Sequence, residues 1–435
     1  MSAPRVLLLL PTNTYKAHDF LVAAERLGVE TVVGSERPQA LEGIAPGRTV
    51  ALTLKNAAAA AGEIAGFAKK RPLAAVVPTD DQTALVAAHA SALLGLPHNP
   101  PEAALAARRK DLLRERLRAA GVRTPRHRLL PADPSPDDAR LAALGREQAY
   151  PCVLKPTFLS ASRGVIRANT PTDFAAAFRR IEALFGLADV AERAGIGPAG
   201  TADTPGVDLG AAADPRGAIL AEEFVPGVEV ALEGLLAGGR LKVLAIFDKP
   251  DPLDGPYFEE TIYVTPSRLP EASQRAIAAV VTAGAAAIGL VEGPVHAELR
   301  LDDRGPWLIE MAARSIGGLC GRVLRFGAGI TLEELILMHA LGQGIEAYER
   351  DRQPAGVMMI PVPRAGVLRE VRGVAAARDV PGIVDVTIGA TIGKPLVPWP
   401  EGSSYPGFIF AGANDPAAVE AALREAHQKI RFVIE

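Results

Sequence analysis

The stretch PVHAELRLDDRGPWLIEM, residues 294–311, decides how this chain is read. Two apolar runs flank a cluster of turn formers, Asp302-Asp303-Arg304-Gly305, which is the pattern of a β-hairpin. Alternation puts Val295, Ala297, Leu299 and Leu301 on one face and His296, Glu298 and Arg300 on the other. With Asp303, Arg304 and Gly305 as a three-residue loop and Gly305 in the left-handed bulge position, Glu298 stands directly opposite Glu310. Like charges so placed repel across a sheet, and a divalent cation between them removes the conflict. Magnesium suits the position because it takes one or two carboxylates and completes its shell with water and substrate phosphates. Mn2+ is the alternative metal. The competing reading is a solvent-facing hairpin whose glutamates splay into water.

Upstream, the strand-like CVLKP at 152–156 ends in a lysine and leads into Thr157-Phe158-Leu159-Ser160-Ala161-Ser162-Arg163-Gly164. Lys155 supplies a point charge at the strand end, and the small residues let backbone N–H groups approach phosphate oxygens. An ordinary turn with a surface lysine is the other reading. Between these segments, ILAEEFVPGVEV at 219–230 is a strand interrupted by Pro226-Gly227. The bend frees backbone groups of the kind that read adenine, with a nearby glutamate for a ribose hydroxyl. A plain turn with solvated acids is equally open. Lys110 lies among Arg108, Arg109 and Arg114, where it is also readable as one charge of a solvated face. Arg314, four residues past Glu310, begins a Gly-rich loop and is placed to reach a transferred phosphoryl group or to pair with a surface acid.

Farther out, the first hundred residues alternate short apolar strands (6–10, 31–33, 75–77) with helical patterns (20–27), the signature of a parallel α/β layer. The turn after the first strand, Pro11-Thr12-Asn13, lacks the G-x-G-x-x-G fingerprint, which disfavours a nicotinamide dehydrogenase. An Arg-rich helix is expected over 101–120, ended by Gly121 and Pro125. Strand, loop and strand follow over 150–167, a helix over 172–184, an aperiodic surface insertion over 186–217, and strands from 218 to 247. A helix is expected over 271–288 and a closing helix over 416–431.

The chain has 435 residues, 49% hydrophobic and 22% charged, which suits a multi-domain globular protein. A net charge of −3 gives no electrostatic case for nucleic acid. The apolar run at 6–10 is too short for a secretory leader and nothing approaches a membrane span, so the expected location is cytoplasmic, with no membrane partner. Cys152 and Cys320 lack metal-ligand spacing and read as buried small hydrophobes.

Taken in order, these segments resemble the ATP-grasp superfamily over about residues 110–341. The resemblance implies an α/β and α+β multi-domain fold with a Rossmann-like N-terminal domain (1–105), an ATP-grasp domain (106–345, lid about 130–225) and a C-terminal α+β segment (346–435). It implies ATP and Mg2+ as cofactors. Lys110 and Lys155 match the phosphate-contacting lysines, and Ser160, Ser162, Arg163 and Gly164 match the lid loop. Glu222, Glu223, Phe224 and Val225 match the adenine-reading linker, and Glu229 the ribose acid. Glu298 and Glu310 match the metal carboxylates, and Arg314 the arginine that stabilises the phosphorylated intermediate. Ala312 stands where many members carry an asparagine, which implies a sparser metal shell.

The Glu310-x-x-x-Arg314 spacing, His296-x-Glu298 and the segments around Asp248-Lys249 and Gly255–Thr261 look most like the L-amino acid ligases that form dipeptides. Such an enzyme phosphorylates a small-molecule carboxylate and lets an amine capture the acyl phosphate. His296 is then a group to orient a substrate or shuttle a proton, or a structural histidine. Lys249 and Tyr257 are candidate substrate contacts. A biotin carboxylase-like or purine-pathway enzyme and a nucleotide-binding protein without turnover are the competing readings. Homodimers are common among soluble enzymes, and a homodimer is left open.

Overall fold

The computed structural model describes residues 3–12, 14–37, 47–130, 136–187, 189–190 and 218–435. Its N-terminal part runs β1 (Arg5–Leu9), α1 (Ala17–Arg26), β2 (Glu30–Ser35), β3 (Thr49–Ala51), α2 (Ala57–Ala68), β4 (Ala75–Pro78) and α3 (Asp81–Leu94). The strands are parallel in the order β3-β2-β1-β4. The unbroken apolar run of β1 fits a strand covered on both faces. Val6 and Leu8 pack toward the core of the molecule, and Leu7 and Leu9 against α2 and α3. Asp80 caps α3 by accepting from the Thr83 N–H, while the Thr83 hydroxyl reaches back, which fixes the chain direction next to the central cleft.

The single helix expected over 101–120 is instead two, α4 (Pro101–Arg108) and α5 (Lys110–Ala119), broken at Arg109 in extended conformation. Tertiary bonds win over helix propensity here. The Lys110 N–H donates to Thr157 O at 2.9 Å, and Arg109 turns its guanidinium onto Asp111, Nε to Oδ1 at 2.8 Å. The break sets Lys110 at the start of α5, with its N–H bonded to the lid.

That lid is an antiparallel sheet in the order β5-β8-β6-β7, built from β5 (His127–Leu130), β6 (Cys152–Pro156), β7 (Ile166–Ala168) and β8 (Ile219–Glu223). Helices α6 (Asp138–Arg146) and α7 (Pro171–Phe185) cover one side through Leu141, Phe174, Phe178 and Ile181. The surface insertion expected over 186–217 lies almost wholly outside the described residues.

The centre is an eight-stranded sheet. Its first five strands, in spatial order, are β13 (Gly305–Ala312), β12 (Gly293–Asp302), β9 (Val228–Ala237), β10 (Arg240–Lys249) and β11 (Ile262–Thr265). Helix α8 (Glu271–Ile288) lays Ile277, Val281, Ala285 and Ile288 on it, the spacing of one helix face. Short strands β14 (Arg325–Phe326) and β15 (Ile330–Thr331) precede α9 (Leu332–Ala340). The sheet then continues through β16 (Ala355–Met359), β18 (Gly407–Gly412) and β17 (Ile383–Ile388), so the C-terminal part extends the central sheet rather than sitting apart from it. Both cysteines are free and buried, as their isolation in the sequence led one to expect.

The β12–β13 loop differs from the expected three residues. Asp302 pairs with Gly305, leaving Asp303 and Arg304 as a two-residue turn, with Gly305 at φ 105°. A bulge opposite Leu299 then shifts the register by one, and Glu298 still stands opposite Glu310.

Candidate active site

Lys110, brought inward by the helix break, donates from Nζ to Leu159 O at 2.6 Å and lies 3.7 Å from Glu310 Oε2. Lys155, at the end of β6, lies 2.8 Å from Glu222 Oε2 on the neighbouring strand β8. The other oxygen of Glu222 is 2.7 Å from Nε of Arg114, whose side chain is fully buried. Burial opposes the charge of Glu222, but Arg114 and Lys155 outweigh it and hold the carboxyl down at about 2. Lys110, Lys155, Ser162, Glu222, Glu298 and Glu310 line one cavity between lid and central sheet.

On the far side of Glu298, the buried Lys249 ammonium sits among three carboxylates: Glu229 at 2.8 Å, Glu260 in close contact, and Glu298 at 3.6 Å. Burial works against the Lys249 charge, yet the three acids keep it well above the ordinary lysine range. Glu260 is also raised, to about 7, by burial and by repulsion from Glu298, with Lys249 offsetting part of the rise. Glu298 is held low; burial opposes its charge, and Lys249 and His296 outweigh the penalty. His296 is buried, with Nδ1 3.2 Å from Glu233 and Nε2 3.5 Å from Glu298. Glu233 also accepts the Ile316 N–H, tying this strand to the loop after Arg314.

Several expected site residues are placed differently from the sequence reading. Lys249 is buried behind the acids rather than exposed to a substrate, whereas Glu229, expected at a ribose, lines the same cavity while bonded to Lys249 and 3.4 Å from Arg300. Tyr257 contacts Arg180 of the lid. Arg163 sends its guanidinium to Asp189 and to Glu401 O, and the Gly164 N–H donates to Pro400 O, so both are tied to the C-terminal segment. Ser160 and Ser162 do face the cavities. In the linker, Glu223 accepts from Arg126, the Phe224 N–H donates to Pro151 O, and the Phe224 ring lies between the guanidiniums of Arg167 and Arg300, 4.0 and 5.0 Å away. Val225 is buried in the cavity wall.

Arg314 is no surface residue. It lies 2.9 Å from Asp81 at the start of α3, donates to Ser315 O, and is kept above the usual arginine range: burial opposes this, and Asp81 and Glu310 outweigh it. A polar cleft of about 900 Å3 opens at this end, between the carboxyl ends of the N-terminal strands and Lys110, Ser160 and Glu310. Sequence reasoning missed Arg114, Glu233, Glu260 and Asp81. A signal existed for Glu233, since two acids four residues apart in the apolar VEVALEGLLA fall on one face of β9.

Residues 148–193 and 211–323 match the model of the ATP-grasp domain, residues 358–435 that of L-amino acid ligase C-terminal domain 2, and residues 21–98 that of the ATP-grasp N-terminal domain. An uncharacterized protein of Sinorhizobium fredii is 22% identical over 432 residues, 99% of this chain and 83% of the relative. Alanine–anticapsin ligase of Bacillus subtilis is 27% identical over 257 residues, 56% of this chain and 49% of that enzyme, so the match spans about half the relative's length. The crystal structure of an L-amino acid ligase from Bacillus licheniformis superposes with a TM-score of 0.78 at 25% identity, covering 100% of both chains.

Proposed function

The chain is an ATP-grasp ligase similar to the L-amino acid ligases, and from that premise we propose that it joins a small-molecule carboxylate to an amine through an acyl phosphate. The observation that carries this reading is the pair Glu298–Glu310, opposite each other on β12 and β13 in the cavity that also holds Lys110 and Lys155. A free carboxylate does not acylate an amine because oxide is a poor leaving group. Attack of its oxygen on the γ-phosphorus of ATP expels ADP and converts that oxygen into part of a leaving phosphate. The amine nitrogen then attacks the carbonyl carbon, phosphate departs, and the amine loses a proton.

The donor set fits magnesium: two carboxylates, 17% and 28% exposed, offer hard oxygen ligands beside two lysines. Bound there, Mg2+ or Mn2+ supplies charge neutralisation for the phosphates. Lys110 and Lys155 balance further phosphate charge, and Lys155 keeps donors to spare while resting on Glu222. Arg314, oriented by Asp81, stabilises the phosphoryl group in transfer. His296, fixed by Glu233, orients the Glu298 carboxylate and the substrate next to it. Glu222–Val225 form the adenine-side wall. A cytoplasmic location, where ATP is supplied, goes with this chemistry; no helix among the described residues is long and apolar enough to cross a membrane.

The test is a phosphate-release screen over pairs of amino acids with Mg-ATP. Release dependent on both partners supports the reading, and Glu310→Gln abolishes it. Bicarbonate-dependent release, or tight ATP binding with no ADP under any pair, contradicts it.

A further inference from the structure

The loop that faces the phosphate end of the cavity is held by the C-terminal segment. Within it, Ala161 and Ser162 adopt left-handed backbone at φ 57° and 52°, a conformation L side chains disfavour and surrounding contacts must impose. Residues 399–401 supply those contacts. The Trp399 indole N–H donates to Ala161 O at 2.8 Å, the Gly164 N–H donates to Pro400 O at 2.9 Å, and Arg163 Nε donates to Glu401 O at 2.8 Å. The Glu401 carboxylate takes both prongs of Arg180 on α7, with Nη2 to Oε2 at 2.9 Å.

This attachment is itself anchored. Trp399 is 5% exposed, and its ring lies 4.7 Å from that of Tyr405, whose N–H donates to the Tyr15 hydroxyl of the N-terminal part at 3.3 Å. Lid, C-terminal segment and N-terminal layer therefore meet at one aromatic cluster. In this same conformation Ser160 and Ser162 face the cavities that hold Lys110, Lys155 and Glu310, so the held form of the loop is the phosphate-facing form.

We propose that Trp399 and Glu401 are positioning residues, a strap from the C-terminal segment that fixes the phosphate-covering loop and so sets nucleotide affinity and the exclusion of water from the acyl phosphate. The proposal rests on the ligase reading for what the loop covers. Loosening the strap leaves the reacting groups in place but admits water. Water oxygen then adds to the acyl carbon, phosphate leaves, and the carboxylate is regenerated with net loss of one ATP.

The experiment compares wild type, Trp399→Phe and Glu401→Gln. Phenylalanine keeps a ring against Tyr405 while removing the donor and part of the indole's bulk. Hydrogen–deuterium exchange over residues 159–166 is expected to speed up about fivefold in Trp399→Phe, as for one lost hydrogen bond. The dissociation constant for MgADP by calorimetry rises about fivefold in either variant. In turnover, KM for ATP rises, and phosphate released per amide formed climbs above one, a ratio that a merely structural role does not move. Unchanged exchange, or MgADP binding equal to or tighter than wild type, overturns the strap alone. Wild-type protein that binds no MgADP overturns the ligase reading and the strap's role with it.

Discussion

Replacing Glu222 with glutamine tests the electrostatics that hold lid to core. Glu222 belongs to the lid strand β8, Arg114 to helix α5 beneath it, and Lys155 to β6, so one buried carboxylate serves two cations from different elements. Its carboxyl falls from 4.5 to about 2, which corresponds to roughly 3 kcal/mol of stabilisation of the folded charged form. The variant keeps the shape and leaves Arg114 and Lys155 without a counter-charge, the costly way to break a buried pair, at about 3–5 kcal/mol. Urea unfolding followed by circular dichroism is expected to show a loss of about 3 kcal/mol at pH 7. A depressed carboxyl stabilises above its unfolded value and loses that contribution as pH falls through its folded value. The gap between wild type and variant therefore stays constant above about 4.5 and closes as pH drops toward 2. A loss under about 1 kcal/mol at pH 7, or a gap that widens in acid, refutes the assignment of Glu222 as a buried anion.

Three other outcomes follow from the same geometry. Arg314→Met is expected to lower kcat by about 100-fold or more with a smaller change in KM for ATP, because its charge is used most when phosphoryl transfer develops; equal changes in both, by steady-state kinetics, speak against that role. Glu298→Gln should raise the Mg2+ concentration for half-maximal phosphate release about tenfold, read from a metal titration, and an unaltered titration removes Glu298 from the metal shell. Gly227→Ala should destabilise by upwards of about 2 kcal/mol, since the residue sits at φ 101° and a Cβ there would come within 1.8 Å of Leu301 O; an unshifted melting temperature contradicts the close approach of that bend to β12.

How much was legible in the sequence depends on where the information lay. The hairpin carrying Glu298 and Glu310 was readable because alternation and turn formers are local, and the facing of the two acids came out as expected. The loop length did not, since a two-residue turn plus a bulge next to Leu299 sets Glu298 opposite Glu310 just as a three-residue turn would, and periodicity cannot tell them apart. The break at Arg109 was invisible because AARRKDLL contains no Gly or Pro; a bond to Thr157, far along the chain, imposes it. Arg314 read as a surface residue or a catalytic one, and only the fold brings Asp81 to it. The strap from Trp399 to Ala161 spans the lid and the C-terminal segment, so no window of sequence contains it. Lys249 was a candidate substrate contact, but its burial beneath three acids needs the fold: Glu229 pairs with it across β9 and β10, and Glu260 reaches it from the segment before β11.

The most direct test follows the oxygen of the substrate. With the amino-acid pair that gives the greatest phosphate release, the carboxylate of the first partner is labelled with 18O and the inorganic phosphate is analysed by mass spectrometry. One labelled oxygen in phosphate for each amide formed is the result this account requires, because the carboxylate oxygen bonds to phosphorus before the amine displaces it. Unlabelled phosphate, or AMP and pyrophosphate in place of ADP and phosphate, contradicts it.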